Sequence, residues 1–147
     1  MKRINVILLL LLLSQNAISI DLELNKKLPD SAIESEYDKI LISPSQFVNS
    51  YDYEYLNNQF TIGVISDEDV IKYISTYDTG FKTSEGVYIG MTLSELKKVT
   101  DNSIFTEYGW AHYIELPSGW YAAFCISQSC TSENVKLSSK ISWLFKR

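Results

Sequence analysis

Residues 110–126, WAHYIELPSGWYAAFCI, decide how this chain folds. Two apolar, aromatic-rich runs flank Pro117, Ser118 and Gly119. Pro fixes φ and Gly tolerates a positive φ, so this tripeptide favours a tight turn. We therefore predict an antiparallel hairpin with strands over Trp110–Leu116 and Trp120–Ile126. Alternation along the second strand places Trp120, Ala122 and Phe124 on one face and Tyr121, Ala123 and Cys125 on the other.

The sequence after the hairpin predicts one more strand. Residues 127–134 are polar and form a connection, and residues 140–146 alternate between polar and apolar side chains. This alternation puts Ile141, Trp143 and Phe145 on one face of a last strand. The connection is short, so we expect the strand to pair antiparallel within the same sheet.

The chain has two cysteines, Cys125 and Cys130, with four residues between them. The spacing is not that of a C-x-x-C redox motif, and no basic residue lies nearby to lower a thiol pKa. We expect a structural disulfide in an exported protein. Closing so short a loop stabilises the fold by about 2 kcal/mol in the chain-entropy model.

Residues 86–96, GVYIGMTLSEL, predict a strand followed by a helix. Val87–Ile89 form the strand, and Gly90 ends it. Thr92 is a suitable N-cap, and Glu95 stands at the third helical position, where its carboxylate reaches back to the cap. This pattern predicts a short helix that begins after Thr92.

Residues 60–77 follow the same plan one unit earlier. A strand over Phe60–Gly63 precedes Ser66 as N-cap, with Asp69 three residues later and an apolar set that fits helical spacing. That apolar set is Val70, Ile71, Ile74 and Tyr77. The two units resemble copies of one strand-helix repeat. The predicted fold class is α+β, an antiparallel sheet with two short capped helices on one face.

Three boundaries complete the predicted organisation. Lys2 and Arg3 precede an apolar run over residues 6–13, and small residues follow, which is typical of a secretory signal peptide over residues 1–19. Eight apolar residues are too few to cross a bilayer. We interpret residues 20–44 as an irregular N-terminal arm and residues 45–147 as a single α+β domain.

The net charge of the mature chain limits the classes of partner that it is expected to bind. Removal of the 19 residues leaves 128, with 11 basic and 18 acidic side chains, a net charge of −7. A chain of this charge repels nucleic acid and anionic lipid, so we expect neither nucleic-acid binding nor stable membrane insertion. A basic protein would be attracted. The mature protein is expected to be exported, in the periplasm or outside the cell.

The unit over residues 86–96 resembles the repeat of small exported bacterial proteins. It is similar to the units of the beta-lactamase inhibitory protein and of the outer-membrane assembly lipoproteins BamE and SmpA. The resemblance implies a binder without catalytic activity that acts as an enzyme inhibitor or as an assembly accessory. This chain lacks the lipidated cysteine of the assembly lipoproteins, so the resemblance does not imply an outer-membrane anchor.

Catalytic and metal-binding motifs are absent from the sequence. His112 is the one histidine, and one histidine cannot build a multi-histidine zinc site. We expect no cofactor and no metal. Two carboxylate pairs, Asp52 with Glu54 and Glu107 with Glu115, leave open a small glycan-active enzyme. Solvation of an acidic chain explains the same residues without chemistry.

Aromatic residues give the main functional indication. Tyr51, Tyr53 and Tyr55 alternate with Asp52 and Glu54 on a predicted strand. Tyr and Trp are enriched at binding hot spots because they contribute a large contact area at a small entropic cost. The candidate binding residues are Tyr51, Asp52, Tyr53, Glu54, Tyr55, Trp110, His112, Tyr113, Trp120 and Tyr121.

These features together predict a non-enzymatic, exported protein-binding domain. The favoured partner is a basic hydrolase of the bacterial cell wall, which the domain would inhibit as an inhibitor or immunity protein. An envelope-assembly accessory or adaptor protein is the alternative, and a glycan-active enzyme is the third possibility.

Overall fold

A single antiparallel sheet of eight strands dominates the fold. The computed structural model describes residues 22–65 and 69–147, apart from the side chains of residues 35–38. The strand order across the sheet is β1-β2-β3-β4-β8-β7-β6-β5. The strands are β1 Ile33–Ser43, β2 Gln46–Tyr55, β3 Asn58–Ile65, β4 Val70–Thr76, β5 Phe105–Glu107, β6 Ala111–Glu115, β7 Tyr121–Phe124 and β8 Trp143–Lys146. One helix, α1 Leu93–Leu96, is found in the described part of the chain.

The predicted hairpin is confirmed. Strands β6 and β7 pair antiparallel, with Tyr113 opposite Ala123 and Glu115 opposite Tyr121. Leu116 N donates to Trp120 O (2.7 Å), and Gly119 N donates to Leu116 O (2.9 Å), which closes the turn. Gly119 adopts a φ of 78°, a conformation that glycine adopts without strain.

The alternation along β7 is also as predicted, and each face of the sheet carries its own apolar core. We call the side that carries α1 the helix-side face and the other side the aromatic face. Trp120, Ala122 and Phe124 lie on the helix-side face with Ile62, Ile74, Ile114 and Leu144. The aromatic face carries Tyr73, Trp110, Tyr113, Tyr121, Ala123, Trp143 and Phe145. Ile141 precedes β8 and packs on the helix-side face, so its predicted place beside Trp143 and Phe145 is wrong.

The α+β prediction is wrong because the first expected helix is a strand. Residues 70–76 form β4, a central strand of the sheet. Between β3 and β4 the register passes from Gly63–Tyr73 to Val64–Ile71, so one extra residue of β4 forms a bulge. The bulge brings Ile71 and Ile74 onto the same face, three residues apart, which is also the spacing of a helix. The predicted cap Ser66 lies outside the described residues.

Of the strand-helix unit predicted over residues 86–96, only the helix is confirmed. Thr92 Oγ1 accepts a hydrogen bond from Glu95 N (3.3 Å), and Glu95 Oε2 accepts one from Thr92 N (2.8 Å), so the capping box is formed. The expected strand over Val87–Ile89 does not form: Tyr88 makes an isolated bridge to Lys82, and Ile89 and Gly90 form a turn. No tandem strand-helix repeat is present in the described residues.

The predicted irregular arm contains an ordered strand. Strand β1 pairs with β2 through a two-residue turn at Pro44 and Ser45, with Ser43 opposite Gln46. Pro44 predicts a break between arm and domain, but proline also favours a tight turn between paired strands. The predicted signal peptide, residues 1–19, lies outside the described residues. Within the described ranges, no helix is long and apolar enough to cross a membrane.

The sheet curls so that the end of β1 lies over the aromatic face. Trp110 Nε1 donates to Leu41 O (3.2 Å), and Arg147 Nη1 donates to Ile42 O (3.0 Å). Strand β1 therefore contacts both the start of β6 and the end of β8, although β1 and β5 are the two edge strands of the sheet. The curl leaves a groove between β1 and the centre of the sheet.

Gly63 leaves room for the side chains of Val48 and Tyr73 on the two neighbouring strands. A Cβ atom at Gly63 would lie 2.5 Å from Val48 Cγ2 and 3.0 Å from Tyr73 Cβ. We expect Gly63→Ala to lower the free energy of unfolding by about 2 kcal/mol in urea titrations, because the packed strands must move apart. In a Val48→Ala background the same substitution is expected to cost less, since the closer atom is gone. An equal cost in both backgrounds would contradict this explanation.

Candidate functional site

The aromatic face brings several predicted binding residues together. Trp110, Tyr113 and Tyr121 surround Phe145, with ring centroids 5.1, 5.6 and 4.9 Å from that of Phe145. Tyr73 stacks on the Phe145 ring from β4 at 5.8 Å. These edge-to-face and offset contacts are the geometries that aromatic pairs prefer. The cluster forms a packed aromatic floor on this face of the sheet.

Arg147 is at the centre of this floor. Its guanidinium carbon lies 4.9 Å from the Trp110 ring centroid, 5.3 Å from that of Tyr113 and 5.5 Å from that of Phe145. Glu107 accepts two hydrogen bonds from the guanidinium, and Tyr113 donates its hydroxyl to Glu107 Oε1 (2.8 Å). Arg147 lowers the pKa of the Glu107 carboxyl. An ionised carboxylate with these partners stabilises the fold and is a poor candidate for an acid catalyst.

Three cavities meet at Tyr77, which follows β4 directly. One, of about 390 Å³, is lined by Asp52, Thr61 and Asp78 among others. The next, of about 100 Å³, lies beneath Ile40 and Leu41. The third, of about 350 Å³, is lined by Trp110, Trp143 and the disulfide, together with Leu41. Tyr77 borders all three cavities, which lie on the aromatic face and which we together call the Tyr77 groove.

Tyr77 itself is accessible to a ligand. Its ring lies nearly parallel to that of Trp143, with centroids 6.0 Å apart. The groove walls desolvate its hydroxyl and raise its pKa, yet 66% of the residue's surface is exposed. This exposed surface leaves the Tyr77 ring open to contact with a ligand. Tyr77 therefore presents one open face above a buried tryptophan.

Carboxylates line the other end of the groove. Asp78 Oδ1 accepts from Gly80 N (2.8 Å) and Oδ2 accepts from Gln59 N (3.0 Å), and these bonds lower the pKa of Asp78. Asp52 lines the same cavity and also an adjoining one of about 420 Å³, which Glu54 lines as well. No lysine, arginine or histidine is found among the described residues that line these four cavities.

Four of the ten predicted binding residues lie away from the groove, on the helix-side face. Tyr53 and Trp120 are buried in that core, and Tyr51 and Tyr55 pack against it. Trp120 contacts the Phe81 ring at 5.0 Å between centroids. The predicted alternation is correct, but the tyrosine side of β2 packs on the helix-side core, and the acidic side lies on the other face of the sheet.

His112 is also held by hydrogen bonds within the fold. It is 5% exposed, its Nε2 donates to Glu133 O (2.9 Å), and its Nδ1 pairs with Thr106 Oγ1 (2.8 Å). Both ring nitrogens are thus occupied by partners within the fold. A general base needs a free nitrogen in reach of a substrate.

The two carboxylate pairs differ in their placement. Glu107 lies opposite Ala111 on the paired strand, and Ala111 is four residues from Glu115. At the rise of an extended strand, the backbones of the two glutamates are therefore about 13 Å apart. This is beyond the separations of glycosidase pairs. Asp52 and Glu54 do share a face, but both are exposed, whereas the acid of a glycosidase typically lies in an apolar pocket.

The disulfide between Cys125 and Cys130 is confirmed, and it borders the groove. Its presence fits an oxidising compartment, as expected of an exported protein. Among the residues that the structure describes, no group of three or more histidine, cysteine, aspartate or glutamate side chains is arranged to hold a metal ion.

Comparison with protein-family models, with curated proteins and with solved structures gives no significant match. The resemblance to the inhibitory and assembly proteins named above therefore stays a prediction. Function must be inferred from the groove and its charges. Local sequence patterns do not predict Tyr77, Asp78, Trp143 and Arg147 as site residues, because their proximity arises from pairing between distant strands.

Proposed function

We propose that this protein is a binding domain without catalytic activity that holds a basic protein partner against its aromatic face. The observation that carries the proposal is the Tyr77 groove, whose charged lining residues are the carboxylates of Asp52, Asp78 and, in the adjoining cavity, Glu54. Aromatic rings next to carboxylates favour a cationic protein surface, since opposite charge accelerates association.

The partner class follows from charge and from the expected location. The chain carries a formal charge of −5, and its disulfide fits an oxidising compartment. Murein hydrolases that approach an anionic cell wall are often cationic, so a basic cell-wall hydrolase is the partner that we propose, with the protein as its inhibitor or immunity protein. The occupied nitrogens of His112 and the paired Glu107 support a role in binding over one in catalysis.

An inhibition assay tests this proposal. The purified protein is titrated into a basic lysozyme acting on a murein suspension, and turbidity and released reducing sugars are followed. We expect stoichiometric inhibition, with an association rate that falls by about tenfold or more between low and high salt. A murein hydrolase of acidic net charge is the matched control and should be unaffected.

Two results would overturn the proposal. One is the absence of inhibition and of binding across a panel of basic murein hydrolases at low salt. The other is release of reducing sugar from murein by the protein alone, which would indicate the glycan-active enzyme. Stable capture of outer-membrane assembly components, without hydrolase binding, would favour the adaptor alternative instead.

A further inference from the structure

We infer that the Tyr77 groove takes an extended segment of a partner protein whose arginine side chain stacks on Tyr77 beside Asp52 and Asp78. The inference rests on the proposed function, because it specifies which part of a basic partner is held. It concerns the groove alone and not the other surfaces of the protein.

The first argument is the arrangement of the groove. Aromatic and aliphatic side chains of Leu41, Trp110 and Trp143 line one end, and the carboxylates line the other. A groove with this division suits an extended chain with an apolar side chain at one end and a cation at the other. Tyr77 lies where the two parts meet, with its open face toward the ligand.

The second argument comes from the same face of the same molecule. Arg147 is held by aromatic rings on its planar surface and by a carboxylate, Glu107, at its edge. The groove offers the same two groups, a ring at Tyr77 and a carboxylate at Asp78, and among the described residues no lysine, arginine or histidine lines the cavity that they share. The guanidinium group is weakly hydrated, stacks on aromatic faces and pairs with carboxylates at its edge, so it fits this pair better than an ammonium.

The third argument is that the Asp78 carboxylate is fixed and ionised before a cation binds. Two backbone N–H groups fix its carboxylate in place and keep its pKa low. Each oxygen retains a lone pair for a further donor. A fixed, ionised carboxylate binds a guanidinium without the entropic cost of ordering a mobile side chain.

Two synthetic peptides test the groove directly. The first is acetyl-glycyl-leucyl-glycyl-arginyl-glycine amide, and the second carries citrulline, a neutral isostere, in place of arginine. They are titrated to about 10 mM, a range suited to millimolar dissociation constants, into the isotope-labelled full chain. We expect the arginine peptide to shift the amide resonances of Tyr77 and Asp78 and the indole resonance of Trp143, and the citrulline peptide to bind about tenfold more weakly.

Matched variants locate the binding. Tyr77→Ala and Asp78→Asn are each expected to weaken the arginine peptide by about tenfold or more. The controls are Tyr108→Ala, since Tyr108 is 80% exposed and outside the groove, and Asp101→Asn, an exposed acid elsewhere; each should change affinity less than twofold. Asp52→Asn is the second acid variant, because it leaves the hydrogen bonds to Gly80 and Gln59 intact. Amide spectra of each variant show whether the fold is retained.

The outcomes separate this inference from the proposed function. If a basic hydrolase is inhibited equally by the parent chain and by Tyr77→Ala, the inference fails and the proposed function stands. If the arginine peptide binds as expected but no hydrolase does, the groove inference stands and the proposed function fails. Equal binding of both peptides, shifts at other residues, or displacement by a chitin oligosaccharide at the same residues would overturn the inference.

Discussion

Replacement of Phe145 by alanine is expected to lower the free energy of unfolding by about 3–5 kcal/mol. Phe145 is fully buried on the aromatic face, and four other rings contact it: Tyr73, Trp110, Tyr113 and Tyr121. Truncation leaves a cavity at the point where β4, β6, β7 and β8 meet, and these strands cannot all move inward because the helix-side core holds them from behind. The free energy is measured by urea titration with tryptophan fluorescence.

Two controls make the result interpretable. Phe145→Leu retains most of the volume but loses the aromatic contacts, so we expect a loss of about 1–2 kcal/mol. Phe47→Ala removes a phenylalanine that is 63% exposed on β2, and it should change stability by less than about 0.5 kcal/mol. Similar losses at Phe145 and Phe47 would show that the aromatic face does not stabilise the fold. If Phe145→Ala fails to fold, Phe145→Leu still distinguishes the two cases.

The parts of the fold that depend on local sequence could be predicted. The turn at Pro117–Gly119 fixes the β6–β7 hairpin, and the alternation of Trp120 to Cys125 assigns side chains to the two faces correctly. The capping box at Thr92 and Glu95 also forms as expected. Each of these features is determined by residues within a few positions of one another.

The error in fold class has a physical origin in β4. The sequence predicts a helix from the spacing of Val70, Ile71, Ile74 and Tyr77, but a bulge opposite Gly63 places Ile71 and Ile74 on the same face of a strand. A bulge depends on the partner strand, and the partner of β4 is not visible in a local pattern. The β-branched side chains of Val70, Ile71 and Ile74 favour a strand, and this preference outweighs the apparent helical period.

Few residues of the candidate site are predicted from the sequence: of the ten predicted binding residues, Trp110 and Asp52 line the Tyr77 groove, and Tyr53 and Glu54 line the adjoining cavity. Trp110, Tyr113 and Tyr121 lie together on the aromatic face. Tyr77 and Asp78 were missed because the predicted helix placed them on another element. Whether β2 presents its tyrosines or its acids to the groove depends on which face β1 covers, and this is a long-range property of the sheet.

Arg147→Met is expected to destabilise the protein by about 3 kcal/mol. Methionine keeps much of the apolar stem, but Glu107 loses its cation and Ile42 O loses its donor. The interaction of the guanidinium with three rings is lost as well. The measurement is again a urea titration at neutral pH. The double variant Arg147→Met with Glu107→Gln should lose less than the sum of the two single variants, because no uncompensated carboxylate then remains.

The dependence of this loss on pH provides the stricter test. The pKa of Glu107 is lowered from its ordinary value of 4.5 in the folded protein, chiefly by its hydrogen bonds with Arg147. The unfolded chain therefore takes up the proton first as pH falls, and the stabilisation by Glu107 is fully present above pH 4.5 and is lost as pH falls through the lower, folded pKa. Glu107→Gln should show a shallower decline in unfolding free energy in this range. Asp78, Glu85 and Glu95, whose pKa values are also lowered, account for the decline that remains in the variant. Identical acid profiles for the parent chain and Glu107→Gln would mean that the carboxylate is not held by Arg147 in solution.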